Sequence, residues 1–338
     1  MKKFKREIKL LYTFIIIFIV CAFLLLFNIV LILSKQTKNT EKTDFEKISQ
    51  SVVSIRNGTT QAKGSGFIYK IEKNRAYILT NNHVVENSNY HKVYTSNDNY
   101  KDATLHGYDK NLDVAVLSIE NDNYKALELN KNNNISLGDT VYTMGTPLDN
   151  EFFNSLSSGI ISNTNRFRIE TNAEEDILMN MIQTDIITNP GNSGGPLLND
   201  KLEVIGICTS NIETNNVSGI SFAVPIVDVI NKLTDLEKEG QIPERKISNI
   251  EIVDIKDSET LYKNNLIDLT EEAYGVVVLN DNESSSLKKG DIILKIDNNL
   301  IKDINYYKYY LNKYSKDDKV KLKIKRNNKE KNINVILK

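Results

Sequence analysis

Ser193 stands in TNPGNSGGPLLND, Thr188 to Asp200, with Gly191 two residues before it and Gly194 and Gly195 directly after. A hydroxyl that only faces water needs no such surroundings. One that attacks a carbonyl needs open space, a sharp backbone turn and N–H donors close by. That chemistry also needs a base and a group to orient it, and the chain has only three histidines, His83, His91 and His106. His83 lies in ILTNNHVVEN, where an apolar strand ends in a polar turn. Asp113 opens the apolar run DVAVLSI 30 residues later, and Ser193 follows after another 80, so the chain order is His, Asp, Ser.

The roles follow from the side chains. An imidazole with an ordinary pKa of about 6.5 takes the Ser193 proton and returns it to a leaving amine. Asp113 accepts from the other ring nitrogen, fixing the tautomer and stabilising the imidazolium. The N–H groups of Gly191 and Ser193 are expected to point at the developing oxyanion. Alone, GNSGGP also reads as a glycine-rich turn, and His83 as a surface turn histidine; their coincidence with Asp113 favours chemistry. Asp109, four residues before Asp113, competes for the orienting role but falls in a loop segment. His91 and His106 lack motif context and are expected at the surface. Cys208, on an apolar strand, is expected to be a small core residue.

The elements that must hold these residues are short. From Ile48 to about Val229, runs such as SVVSI, GSGFIYKI, AYILT, TVYTMG, LEVIGIC and ISFAVP are broken by Gly and Asn, which argues for an all-β barrel or sandwich. PIVDVINKLTDLEKEG, Pro225 to Gly240, reads as one helix with Pro at its start and Gly at its end. The last 90 or so residues read as a small α+β domain: YGVVVLN and GDIILKID as strands, Ile304, Tyr307 and Leu311 at helical spacing, then KVKLKIKR and KNINVIL alternating with period two.

The 338 residues, with a formal net charge of −1, have room for about two domains and show no basic bias toward nucleic acid. LLYTFIIIFIVCAFLLLFNIVLIL, Leu10 to Leu33, runs 24 residues without a charge. As a helix it would reach about 36 Å, enough for a hydrocarbon core of about 30 Å. It has no evident signal-peptide cleavage site, so it reads as an uncleaved anchor rather than a removed leader. Lys2, Lys3, Lys5, Arg6 and Lys9 precede it and would hold that end in the cytoplasm. The expected plan is a cytoplasmic 1–9, a transmembrane helix 10–33, a polar tether 34–47, a catalytic domain 48–235, a linker 236–248 and a C-terminal domain 249–338. Cys21 sits in the span and Cys208 alone in the exported part, so no disulfide between them is expected.

Five stretches, GSGFI (Gly64–Ile68), TNNHVV (Thr80–Val85), GYDKNLDVAVL (Gly107–Leu117), QTDIITNPGNSGGPL (Gln183–Leu197) and GISFAVP (Gly219–Pro225), resemble in order and spacing the motifs of HtrA/Deg-type trypsin-like serine proteases. The resemblance implies an all-β double barrel of the chymotrypsin/trypsin type, His83, Asp113 and Ser193 as triad, and Gly191 and Ser193 as oxyanion hole. It also implies ATP-independent cleavage of unfolded or misfolded proteins by a homotrimer that needs no cofactor or metal, in envelope stress or quality control outside the membrane of a bacterium. A silent, chaperone-like scaffold is the alternative, opposed by the intact set. The implied substrate pocket is apolar and suits small aliphatic side chains. Here Thr188, with Ile187 before it, stands where an apolar residue is usual, which would shift preference toward smaller or more polar groups. Loops TPLDNEFFNSLSSG, NRFRIETNAEED and TSNIETNNVSG match regions that switch in the family. The C-terminal part resembles a PDZ domain, implying capture of a peptide C-terminus by a carboxylate loop at Ser248, Asn249 and Ile250. Asn249 replaces the usual Gly, a tolerable change because Asn adopts positive φ more readily than most residues.

Overall fold

The computed structural model describes residues 2–338 apart from 98, 133, 172–175, 210–218, 239, 243 and 283–284, and the side chains of all these except 2–11, 13–14, 32–43, 170–171 and 270–271. It divides into two compact units, Met1–Ser49 and Gln50–Lys338.

The first unit is helix α1, Lys2–Ser49. No Pro or Gly falls within it, so nothing in the sequence interrupts its hydrogen-bond ladder. The stretch 34–47, expected as a polar tether, is therefore helical instead. The expected transmembrane helix is not supported: among the described residues no helix is long and apolar enough to cross a membrane. Six residues of the expected 10–33 span lie outside the described side chains.

The second unit starts with six strands: β1 Val52–Asn57, β2 Lys63–Glu72, β3 Arg75–Thr80, β4 His91–Tyr94, β5 Tyr100–Asp109 and β6 Val114–Glu120, with the single-turn helix α2, Asn82–Val85, after β3. They close into a barrel in the order β1-β2-β3-β6-β5-β4. Val53, Ile55, Ile68, Ile78, Leu117 and Ile119 fill its interior, each fully buried. Burying a side chain of this size contributes about 1.5–3 kcal/mol.

A second closed barrel, order β10-β11-β12-β9-β8-β7, uses β7 Thr140–Gly145, β8 Ser155–Thr171, β9 Asp176–Thr184, β10 Pro196–Leu198, β11 Val204–Thr209 and β12 Ser221–Pro225. Closure leaves neither barrel an unpaired edge. Cys208 packs with Val141, Ile161, Ile182 and Leu197 in the second core, as expected of a small apolar residue. Burial pushes its thiol pKa up to about 11. The loops that match switching regions are partly strand: Asn165 to Thr171 belongs to β8, while 172–175 and 210–218 lie outside the described residues.

The single helix expected over Pro225–Gly240 is two short ones, α3 Ile226–Ile230 and α4 Leu233–Leu236. Lys232, only 1% exposed, sits at the break and turns its ammonium inward to the Tyr314 carbonyl at 3.3 Å.

The C-terminal sheet has the order β13-β14-β15-β17-β18, with β16 on β15. Its elements are β13 Ile252–Asp254, β14 Val276–Val278, β15 Ile292–Ile296, β16 Asn299–Leu300, β17 Lys319–Arg326 and β18 Lys329–Ile336, with helices α5 Ser258–Lys263 and α6 Ile304–Leu311. This is the expected α+β arrangement, to which the structure adds α5. Asp303 caps α6 by accepting from the N–H groups of Asn305 and Tyr306, and Tyr307 and Leu311 point into the core as their spacing implied. The opposite side of α6 meets the second barrel, where Phe167 of β8 stacks against Tyr306 and Tyr309 with centroids 5.1 and 5.4 Å away. Ion pairs Lys313–Asp228 (3.1 Å) and Arg245–Asp235 (2.7 Å) flank that contact.

Asp291, fully buried, is held by Arg326 through two 2.6 Å bonds, one to each carboxylate oxygen. Arg326→Ala would strand that carboxylate away from water, a loss of about 3 kcal/mol. Calorimetric unfolding of wild type and variant checks it, with the transition that involves the C-terminal sheet moving to lower temperature.

Candidate active site

β3 ends at Thr80, and the chain turns through Asn81 into α2, which presents His83. Its Nδ1 lies 2.7 Å from Asp113 Oδ2, and its backbone N–H donates to Asp113 Oδ1 at 2.9 Å. With Nδ1–H given to the carboxylate, Nε2 is the basic nitrogen. Asp113 enters β6 with φ +52, a left-handed conformation that Asp tolerates better than most residues. The Asn81 amide holds this turn by donating to the Asp113 carbonyl at 2.8 Å. Burial pushes the imidazole pKa down, but the charge and hydrogen bond of Asp113, helped by Glu86, outweigh it and raise the value above the ordinary 6.5.

Asp109 does not reach His83. It is 2% exposed and accepts from the N–H groups of Asn111 and Leu112 at 2.9 and 3.2 Å, shaping the turn that delivers Asp113. Burial raises its pKa against the charges of Lys232 and Arg245.

Ser193, 3% exposed, precedes β10 in a loop bent by Gly191 at φ +104 and Gly194 at φ +88. At Gly191 a Cβ would collide with the Thr146 carbonyl, so both its φ and its surroundings demand glycine. The loop is stitched to the first barrel by Ser65 N–H donating to the Ser193 carbonyl at 2.7 Å. Gly64 lies against both halves of the site: a Cβ there would meet Val84, next to His83, at 2.5 Å and the Ser193 carbonyl at 3.1 Å. His83 and Asp113 come from the first barrel and Ser193 from the second, with Gly64 lying between α2 and the Ser193 loop.

In the expected substrate pocket, Ile187 is 60% exposed and Thr188 is half-buried. Ser221 Oγ donates to the Ile186 carbonyl at 2.5 Å, so the 2.8 Å contact between the Thr188 and Ser221 hydroxyls takes its proton from Thr188. The Thr188 hydroxyl is thus engaged inside the chain. In the C-terminal loop, Asn249 takes φ +55. Its carbonyl accepts from Asn280 at 3.0 Å, that of Ser248 accepts from Asn282, and Ile250 packs on the sheet core.

The surface reading of two histidines is corrected. His91 is 1% exposed, with Nε2 bonded to the Val85 carbonyl at 2.8 Å, and it steadies the end of α2. His106 is half-buried against Ser118 Oγ at 2.7 Å; burial and the Arg75 charge hold its pKa below the usual range. Each finds a polar partner that the linear sequence conceals. Missed altogether were Ser65, Thr80 and Asn81, which lie inside GSGFI and TNNHVV. Polar residues flanked by Gly or ending a buried strand were the available signal.

Two closed barrels with a histidine and an aspartate on one and a glycine-flanked serine on the other form the architecture of trypsin-like peptidases. Residues 64–207 match the trypsin-like peptidase domain family and residues 253–337 the PDZ domain family. The chain is 32% identical over 326 residues to the serine protease Do-like HtrA of Lactococcus lactis subsp. lactis, covering 92% of this chain and 80% of that one. It is 35% identical over 297 residues to a serine protease HtrA-like of Staphylococcus epidermidis, covering 84% of this chain but spanning only 50% of that relative. Among solved structures it resembles the HtrA-type protease AlgW with tripeptide (26% identity, TM-score 0.63, 86% of this chain and 94% of that one). It also resembles the serine endoprotease from Yersinia pestis (25%, TM-score 0.60, 86% and 95%). The chain belongs to the HtrA-type serine proteases with a PDZ domain.

With His83 as the base, a raised imidazole pKa would set the acid limb of activity. His83 must be neutral to accept a proton, so kcat/KM is expected to fall as pH drops through a value above 6.5, the ordinary histidine figure. Asp113→Asn removes the raising interaction and lowers kcat by about 10⁴-fold. A pH–rate profile of both proteins on one peptide substrate checks the two statements together.

Proposed function

We propose that the protein is an ATP-independent serine endopeptidase for unfolded or misfolded polypeptides, working through His83, Asp113 and Ser193. The observation that carries the reading is the His83–Asp113 pair, 2.7 Å between Nδ1 and Oδ2, on the barrel facing the loop of a serine flanked by positive-φ glycines. Ser193 Oγ attacks the scissile carbonyl while His83 Nε2 takes its proton, and Asp113 stabilises the imidazolium. The N–H groups of Gly191 and Ser193 receive the oxyanion. His83 then protonates the leaving amine, and water, deprotonated by the same imidazole, releases the acyl group.

Residues 48–235 serve as the peptidase domain and 249–338 as a PDZ-like domain, joined by 236–248. An apolar pocket walled by Ile187 and Thr188 takes small aliphatic side chains. The loop Ser248–Ile250 takes a peptide C-terminus beside the outer edge of β13, which among the described residues has no neighbouring strand on that side. The uncharged stretch 10–33, preceded by basic residues, supports attachment to a membrane with residues 1–9 cytoplasmic and the peptidase on the extracellular side. Family membership supports a homotrimer acting in envelope quality control.

Unfolded β-casein is the first substrate to try. Wild type is expected to cleave it after small aliphatic residues, and Ser193→Ala to leave it intact. Cleavage that survives the substitution would sink the proposal. Thr188→Val is expected to keep kcat/KM on such sites within about threefold, because the hydroxyl it removes is already bonded within the chain; peptide-library profiling of both proteins reads this.

A further inference from the structure

We infer that the Ser65 hydroxyl is the group that holds the oxyanion loop in its working shape, a positioning role that rests on the reading of Ser193 as nucleophile. In a trans peptide the C=O and N–H point in opposite directions, so whatever binds the carbonyl aims the N–H. Two peptides carry the expected oxyanion donors. The Pro190 carbonyl accepts from Leu148 N–H at 2.8 Å and the Asn192 carbonyl from Gly195 N–H at 3.0 Å, which turns the N–H groups of Gly191 and Ser193 away from those contacts. Both are backbone pairs that no side-chain change removes.

The peptide between them, Gly191–Asn192, gives its N–H to the Asn189 carbonyl at 3.0 Å, but its carbonyl accepts from a side chain, Ser65 Oγ, at 2.7 Å. Ser65 Oγ also accepts from Thr146 N–H at 2.9 Å, so its proton has Gly191 O as its partner and the bond has a set direction. A flip of this peptide would turn ψ of Gly191 together with φ of Asn192, and glycine is the residue type with the widest access to backbone space.

Ser65 itself cannot shift. It is fully buried, paired in β2 opposite Ser54, gives its N–H to the Ser193 carbonyl, and takes the Thr80 hydroxyl on its own carbonyl at 2.7 Å. The same residue therefore touches the strand end that leads to His83 and the loop that bears Ser193. Removing its hydroxyl would leave the Gly191 carbonyl and Thr146 N–H buried without that partner, and a flip of the central peptide, which gives up the Asn192 N–H bond to Asn189, would carry that carbonyl out of the unpaired position.

The test compares full-length wild type, Ser65→Ala and Ser193→Ala in detergent, using a fluorophosphonate probe and a fluorogenic peptide. For Ser65→Ala we expect a kcat about 10²-fold lower, the size of losing one oxyanion donor, with KM within about threefold of wild type. The downfield proton signal of the His83 Nδ1–H to Asp113 bond should persist, which a general loss of structure would not allow. A kcat within about twofold of wild type overturns the inference alone. Failure of the probe to label wild type overturns the Ser193 reading and this inference with it. Should the alanine variant not fold, Ser65→Cys, a weaker donor of similar size, decides: lowered kcat at unchanged KM supports the role, and wild-type kcat refutes it.

Discussion

The site depends on a single seam between two closed barrels. Neither barrel carries a complete set of reacting groups, and closure leaves no free strand edge by which one could pair with the other. The barrels are joined at the site by the 2.7 Å bond from Ser65 N–H to the Ser193 carbonyl, in the space that Gly64 opens by lacking a Cβ. Catalysis by positioned groups loses rate steeply with displacements of about 1 Å, so a short, dry backbone contact is a better joint here than a surface ion pair. Gly194 follows the same logic, since a Cβ there would run into the Ser65 carbonyl and the Thr80 hydroxyl.

On the first barrel the organisation is electrostatic. Asp113 receives the His83 ring and backbone N–H together, so one carboxylate fixes both the position of α2 and the tautomer of its histidine. The left-handed backbone of Asp113 is sustained by Asn81 from one side and by the Asp109-capped turn from the other. Asp109 is itself faced by Lys232 and Arg245, which lie near the C-terminal sheet, so the turn that delivers Asp113 shares a buried charge cluster with the inter-domain contact.

Much of this was legible in the sequence because it depends on local chemistry. Short apolar runs separated by Gly and Asn read as barrel strands, and the i, i+3, i+7 spacing of Ile304, Tyr307 and Leu311 read as α6. The pairing of His83 with Asp113 followed from residue type and motif. What escaped depended on distant partners. His91 and His106 have no neighbouring motif, and only the folded barrel supplies the Val85 carbonyl and the Ser118 hydroxyl. The break between α3 and α4 falls beside Lys232, whose ammonium reaches the Tyr314 carbonyl 82 residues away. Ser65 looked like one more strand residue because the groups it binds lie 81 and 126 positions further on.

The interior of the second barrel has a consequence for the surroundings in which the molecule can exist. A thiol whose pKa is pushed up to about 11 carries a thiolate fraction on the order of 10⁻⁴ at neutral pH. Cys208 is 3% exposed as well, so oxidants, alkylating agents and mixed disulfides find almost nothing to react with. The two-barrel body therefore holds together by packing and hydrogen bonds, with no disulfide for a change in ambient thiol–disulfide potential to open.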